Sequence, residues 1–118
     1  MQFKEYQQKA LSTAIYPRYG VSGLAYVSLG LNGEAGEVAE LVKKIIRDDE
    51  VSESRDKLDK AINVKLDSLS KEIGDVLWYI AALCSEVGLN MEDVAKQNVA
   101  KLQSRKNRNK ISGSGSDR

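Results

Sequence analysis

Two pairs of acidic residues fall where helices should bury apolar side chains. On a wheel of about 100° per residue, Glu34 has Leu41 about 20° to one side and Ile45 and Val38 about 20° and 40° to the other. Glu37 takes the flank at about 60°. Around Glu72 the layout repeats, with Tyr79 about 20° to one side, Leu83 and Val76 about 20° and 40° to the other, and Asp75 about 60° off. The motif Glu34-x-x-Glu37-Val38-x-x-Leu41-Val42-x-x-Ile45 thus matches Glu72-x-x-Asp75-Val76-x-x-Tyr79-Ile80-x-x-Leu83. Within each pair the Cβ atoms stand roughly 5–6 Å apart. Helices packed antiparallel through these faces would bring four carboxylates together.

Carboxylates placed among apolar neighbours are costly unless they are paired or bind a metal. Four like charges repel, so either some protons stay on or a divalent cation lies between them. The chain has no His and a single Cys. Oxygen-only ligands select a hard ion, Mg²⁺ with Mn²⁺ as a substitute, rather than zinc. Mg²⁺ usually keeps several waters and shares its ligand shell between one or two carboxylates and substrate phosphates. A phosphate substrate follows more readily than a closed structural site. The competing reading is a surface acid pair answered by Lys43, Lys44 or Arg47. Glu40 lies well off the stripe and reads as surface.

Composition narrows the remaining chemistry. Without His there is no imidazole base, no Ser–His–Asp or Cys–His machinery and no His-ligated zinc or haem. The lone Cys84 excludes an intrachain disulfide and fits a reducing, cytoplasmic setting. The apolar run Leu77–Cys84 is far shorter than the ~20 residues of a membrane span. No signal peptide is expected, because no basic stretch followed by an apolar one opens the chain. Net charge is only +1 over 118 residues. It is unevenly placed: residues 1–95 carry 11 basic and 16 acidic groups, residues 96–118 carry 7 and 1. The basic end is either a solvated tail or a segment that meets phosphate. Little aromatic interleaving accompanies it, which argues against nucleic acid.

The acids must be positioned by helices. One Pro and few β-branched runs predict an all-α chain. Phe3, Tyr6, Ala10 and Ala14 mark an amphipathic helix over 3–14, broken by Tyr16-Pro17-Arg18-Tyr19-Gly20. A long helix runs from about Ser22 to Arg47. Residues 48–64, highly charged with sparse apolar positions, read as a mobile connection carrying a short helix at most. A second long helix covers about Val64 to Val87 and stops at Gly88. Asn90 caps a last helix to about Lys106, with Asp93 as a capping-box-like partner. The sum is one four-helix-type bundle domain over 1–111 and a flexible Gly/Ser-rich tail over 112–118. The stretch Val76–Cys84 is apolar almost all round, so a homodimer or dimer of dimers is expected to cover it.

Leu29-Gly-Leu-Asn-Gly-Glu34-Ala-Gly-Glu37-Val-Ala-Glu40-Leu, followed by Lys71-Glu72-Ile-Gly-Asp75-Val-Leu-Trp-Tyr79, resembles the MazG-like nucleotide pyrophosphohydrolases. The opening Phe3-x-x-Tyr6-Gln7 and the end Asn98-Val-Ala-Lys101-Leu-x-x-Arg105-Lys106, then Gly113-Ser-Gly-Ser-Asp117-Arg118, are similar to short members of that family. Two positions depart from the pattern. Gly33 stands where the family's motif has the first of two Glu, and Ser116 where similar tails carry Asp.

The resemblance implies an all-α nucleoside triphosphate pyrophosphatase that splits the α–β phosphoanhydride of (deoxy)nucleoside triphosphates. It implies Mg²⁺ held by Glu34, Glu37, Glu72 and Asp75, and dimers or tetramers with nucleotide sites at subunit interfaces. Glu37 is the expected proton acceptor for the attacking water. Asn98, Lys101 and Arg105 share roughly one face of the last helix and would meet phosphates, Arg through a bidentate fork. Lys44 and Arg118 are further phosphate candidates. Tyr79 and Trp78 offer rings to a base, with packing the leading role for Trp78. Alternatives are a related dimeric dUTPase or phosphoribosyl-ATP pyrophosphatase, or a helical interaction protein without chemistry. The last would leave the acid cluster unoccupied or neutralise it with its own Lys and Arg.

Overall fold

A computed structural model describes residues 1–48 and 54–118. The chain forms four helices: α1 (Phe3–Leu11), α2 (Val21–Asp48), α3 (Arg55–Glu86) and α4 (Met91–Asn107), with no strand among the described residues. Helix α1 stops three residues short of the expected Ala14. The hydroxyls of Ser12 and Thr13 donate to the Lys9 and Ala10 carbonyls at 2.6 and 2.8 Å, competing for the acceptors that would continue the helix.

Helix α3 begins well before the expected Val64. Ser54 caps it, its Oγ accepting from Lys57 N at 3.3 Å. The ion pairs Arg55–Asp59 (3.0 Å) and Lys60–Asp56 (3.1 Å) lie at helical i,i+4 spacing. Buried Ala61 and its neighbour Leu58 pack on Ile45 of α2. The part of 48–64 read as a mobile connection is therefore helix from Arg55 onward; residues 49–53 lie outside the described residues.

Helices α2 and α3 form an antiparallel hairpin. Gly23 lies beside Glu86, Gly30 beneath Tyr79, Glu34 beside Asp75 and Glu72, and Ile45 against Ala61. As one number rises the other falls. The contact at Gly30 is so close that a Cβ there would enter the Tyr79 ring. Fully buried Val27 packs with Ala82 and Tyr16, and Trp78, Tyr79 and Leu83 surround them. A second cluster joins Ala10 of α1, Ala81 and Cys84 of α3 and Met91 of α4.

The α3–α4 corner turns at Gly88, whose φ of 71° is left-handed. Leu89 N donates to Cys84 O at 2.7 Å and Gly88 N to Ser85 O at 3.3 Å, the paired bonds of a Schellman stop. One side chain then ties three elements: Gln7 Nε2 donates to Ser85 Oγ and to Leu89 O, both at 2.9 Å, and Gln7 Oε1 accepts from Met91 N at 2.8 Å. Asn90 caps α4 by accepting from Glu92 N at 2.9 Å. The reciprocal partner is not Asp93. Glu92 instead reaches across to accept from Phe3 N at 3.1 Å.

Helix number and class match expectation, but one chain does not close a bundle. Among the described residues helix α2 packs on α3 and not on α4, which rests on α1 and the end of α3. The radius of gyration is 17.6 Å, against roughly 13–14 Å for a compact chain of this length. No described helix is long and apolar enough to cross a membrane.

Candidate functional site

At the middle of the α2–α3 hairpin, Glu34, Glu72 and Asp75 each present a carboxylate oxygen within 4.8 Å of the others. Glu34 and Glu72 are half-buried and Asp75 is exposed. Their positions follow from the stripes: Glu34 and Glu72 lie within the apolar stripes of their helices and Asp75 on the flank, so closing the seam brings the three together. Burial pushes the Glu34 carboxyl above its ordinary range, and the charges of Asp75, Glu72 and Glu37 add to it. No Lys or Arg among the described residues forms an ion pair with any of these acids. The nearby bases are engaged elsewhere, Lys43 and Lys44 pairing with Glu40 at 2.7 and 3.8 Å and Arg47 with Asp48 at 2.6 Å.

Glu34 and Asp75 open onto a cleft of about 340 Å³ lined with them by Thr13, Trp78 and Tyr79. The larger groove along Ala39, Val42 and Ile46, about 610 Å³, is apolar and carries no acid; chemistry selects the smaller one. Trp78 Nε1 donates to Thr13 Oγ1 at 2.8 Å and to Ala10 O at 3.1 Å. Its ring meets Tyr79 edge-on at 5.0 Å and Tyr16 at 6.2 Å. Trp78 thus braces the wall, as its packing role predicts, while still bordering the cleft. The Tyr79 hydroxyl is held above its usual range by burial first, then by the neighbouring Tyr26 and the charges of Glu34 and Asp75.

The other expected site residues are placed differently. Glu37 is exposed and stands outside the three-carboxylate group. Asn98 and Lys101 are exposed on α4, and neither they nor Arg105 lines the cleft. Arg105 is only 6 % exposed and is turned toward residues 115 and 116. Lys44 is spent on Glu40. Arg118 donates to Gly115 O and to Ile111 O, so the segment expected to be a loose linker folds back on itself.

Three contributors escaped the sequence reading. Thr13 enters from the end of α1, and nothing local marks it. Tyr6 sits close enough to Asp75 for that charge, after burial, to raise its hydroxyl. Glu86 lies two heptads after Glu72 and about 40° from it on the same stripe, a signal that was available. It accepts from Tyr16 Oη at 2.8 Å and from Tyr19 N at 2.9 Å, fastening the loop behind the cleft wall. Burial and the Glu86 bond push the Tyr16 hydroxyl up to about 12.

An all-helical chain whose facing helices each deliver acids to one cleft matches a known domain. Residues 24–109 match the MazG nucleotide pyrophosphohydrolase domain, and the chain belongs to that family. It is similar to the Gene 37 protein of Mycobacterium phage L5, 44% identical over 120 residues that span 96% of each chain. No solved structure matches it.

Proposed function

We infer that this chain is a divalent-metal-dependent pyrophosphohydrolase that cleaves nucleoside or deoxynucleoside triphosphates to the monophosphate and pyrophosphate. The observation that carries the reading is the group of three carboxylates without a basic side chain in reply. Three such oxygens, two of them on half-buried residues and all mutually repelling, fit a hard cation better than any side chain the hairpin offers. Glu34, Glu72 and Asp75 would hold Mg²⁺, or Mn²⁺ in its place. When bound, the ion supplies positive charge to the phosphate chain and lowers the pKa of a neighbouring water.

The chain's own part is positioning and proton transfer. Water adds at the α-phosphorus while the bond to the α–β bridging oxygen breaks, and pyrophosphate leaves with that oxygen. Glu37, close enough for its charge to act on Glu34 yet outside the carboxylate group, accepts the water's proton. Tyr79 and Trp78 form the wall on which a base would lie. Phosphate contacts from Asn98, Lys101 or Lys44 would come from a second copy, since none of them reaches this cleft within one chain.

A second copy has surface to cover. The accessible area is 8433 Å², against roughly 6,300 Å² for a compact monomer of this mass. Val42 and Ile46 on α2 and Val99 and Leu102 on α4 are exposed apolar positions. An excess on this scale matches the area hidden in obligate homodimers, and a dimer or dimer of dimers acting in the cytoplasm fits it. The reading without chemistry would leave the acid cluster unoccupied or neutralise it with the chain's own bases; neutralisation is not what the ion pairs give, since they run to Glu40.

The test is a panel of nucleoside and deoxynucleoside triphosphates with Mg²⁺, scored for pyrophosphate against orthophosphate. Pyrophosphate release that disappears in Asp75→Asn is the expected result. Turnover unchanged in both Asp75→Asn and Glu34→Gln would remove the proposal.

A further inference from the structure

Glu86 stands where helix electrostatics disfavours it. It is the last residue of α3, and a carboxylate there meets the negative end of that helix's dipole. Across the hairpin it meets the start of α2, whose first turn carries no acid of its own. A Cβ on Gly23 would stand 2.8 Å from Glu86 Oε2, so only bare backbone lets the carboxylate in. Glu86 Oε1 accepts from Tyr16 Oη at 2.8 Å, and Oε2 accepts from Tyr19 N at 2.9 Å. Tyr19 is held at a φ of 63°, a left-handed conformation that an aromatic residue rarely adopts. The carboxylate thus fixes a strained loop from a position its own helix opposes.

What the loop carries is a ring. Tyr16 is 7 % exposed and stacks on Tyr26 at 5.0 Å, with the planes 9° apart, while Trp78 meets it edge-on at 6.2 Å. Tyr26 lies 6.4 Å from Tyr79, and Tyr79 lies 5.0 Å from Trp78, which closes a circuit of four rings. Two members of the circuit, Trp78 and Tyr79, line the acid cleft. Each of these two has its own support: Tyr79 the backbone of Gly30, Trp78 the Thr13 hydroxyl. Tyr16 hangs on Glu86. Glu86 itself is two helical turns past Tyr79, roughly 10 Å along the axis, and does not line the cleft. Its influence travels through the Tyr16 ring.

We propose that Glu86 is a positioning residue for the aromatic wall of the cleft: by holding Tyr16 Oη and Tyr19 N it sets the stance of Trp78, and with it how tightly a nucleobase is bound. This rests on the reading of the cleft as a nucleotide site. The acids take their geometry from the α2–α3 seam and not from the ring circuit. Loosening the wall therefore removes binding shared by ground and transition states, which raises KM and leaves kcat.

The test joins kinetics to the emission of Trp78, the chain's one tryptophan. With Mg²⁺ and a nucleoside triphosphate, Glu86→Ala should raise KM by about three- to tenfold, up to the worth of one hydrogen bond to a charged group, with kcat within about twofold. Tyr16→Phe keeps the ring and its packing, loses only the hydroxyl, and should do the same. The double variant should be no worse than Glu86→Ala, because both changes cut one bond. Glu86→Gln keeps an acceptor oxygen and should recover most of the wild-type KM. In EDTA without nucleotide, Trp78 emission should shift to the red in Glu86→Ala and Tyr16→Phe and be quenched more readily by acrylamide. Nucleoside monophosphates titrated against that emission should bind both variants more weakly, by the factor seen in KM. This last arm needs no turnover. A wild-type chain that cleaves no triphosphate would remove the hydrolase reading, while the binding comparison would still decide the role of Glu86. Wild-type KM in both Glu86→Ala and Tyr16→Phe, a fall confined to kcat, additive losses in the double variant, or monophosphate affinity equal to the wild type would overturn the proposal.

Discussion

The two halves of the α2–α3 hairpin treat their acids in opposite ways. Toward the far end, Glu40 is answered by Lys43 and Lys44, Asp59 by Arg55 and Asp56 by Lys60, all on exposed faces around a small seam of Ile45 and Ala61. In the middle, Glu34 and Glu72 sit at the seam itself and Asp75 at its edge, with no basic partner among the described residues. The same pair of helices thus carries solvated charge that helps helix formation by tenths of a kcal/mol per pair, and inward charge that opposes packing. Only the second arrangement demands something from outside the chain. Acid count distinguishes the halves poorly; angular position on the helix distinguishes them well.

The sharpest way to break this contrast is to neutralise one acid from each half. Asp75→Asn or Glu72→Gln should lower pyrophosphate release by about 100-fold or more, beyond the 10–100-fold typical of groups that only support a metal ligand. Glu40→Gln should leave turnover within about twofold and stability within about 0.5 kcal/mol, as exposed pairs contribute little. Equal losses in both would mean that seam position carries no functional information.

Removing packing rather than charge should reverse the pattern. Ile45→Ala empties the far seam and should cost about 2–4 kcal/mol of unfolding free energy, read by urea denaturation. Turnover per folded molecule should stay near that of the wild type. A loss of activity without a loss of stability would tie the far end to the chemistry.

A subtler test uses the sign of the Glu34 shift. Its carboxyl is raised in the folded chain, so the fold binds more protons there than the unfolded chain does. That stability is fully present below the ordinary Glu range and lost as pH rises through the raised folded value. In EDTA at neutral pH, Glu34→Gln should therefore raise Tm, by roughly 1–3 °C. It should also blunt the further rise that Mg²⁺ gives the wild type. Metal affinity of the wild type should fall as pH drops through the raised Glu34 range, because protons and cation compete for the same oxygens. A Glu34→Gln chain that melts lower in EDTA would show that the acid stabilises the seam on its own.

Periodicity was enough to put Glu34 and Glu72 within the apolar stripes of their helices, because angular position is a local property. The full extent of α3 was not legible, since residues 55–63 are sparse in apolar side chains and are held by a Ser54 cap, surface ion pairs and the Ala61 contact with Ile45. Which helix meets which is a tertiary fact. The shared face of Asn98, Lys101 and Arg105 was visible, yet nothing in it told that α4 would lie away from α2. Glu37 and Asp75 hold equivalent flank positions on their wheels, and only the approach of the partner helix decides which one joins the carboxylate group.

The bare backbone at Gly30 has a consequence for what the cleft admits. Tyr79 rests directly on it, so the ring has no slack behind it and acts as a fixed stop. Widening the opening for a bulkier guest would have to come from Thr13 and its contact with Trp78, where a hydroxyl latch rather than main chain sets the distance. Selectivity by size, in such an arrangement, is tuned from α1.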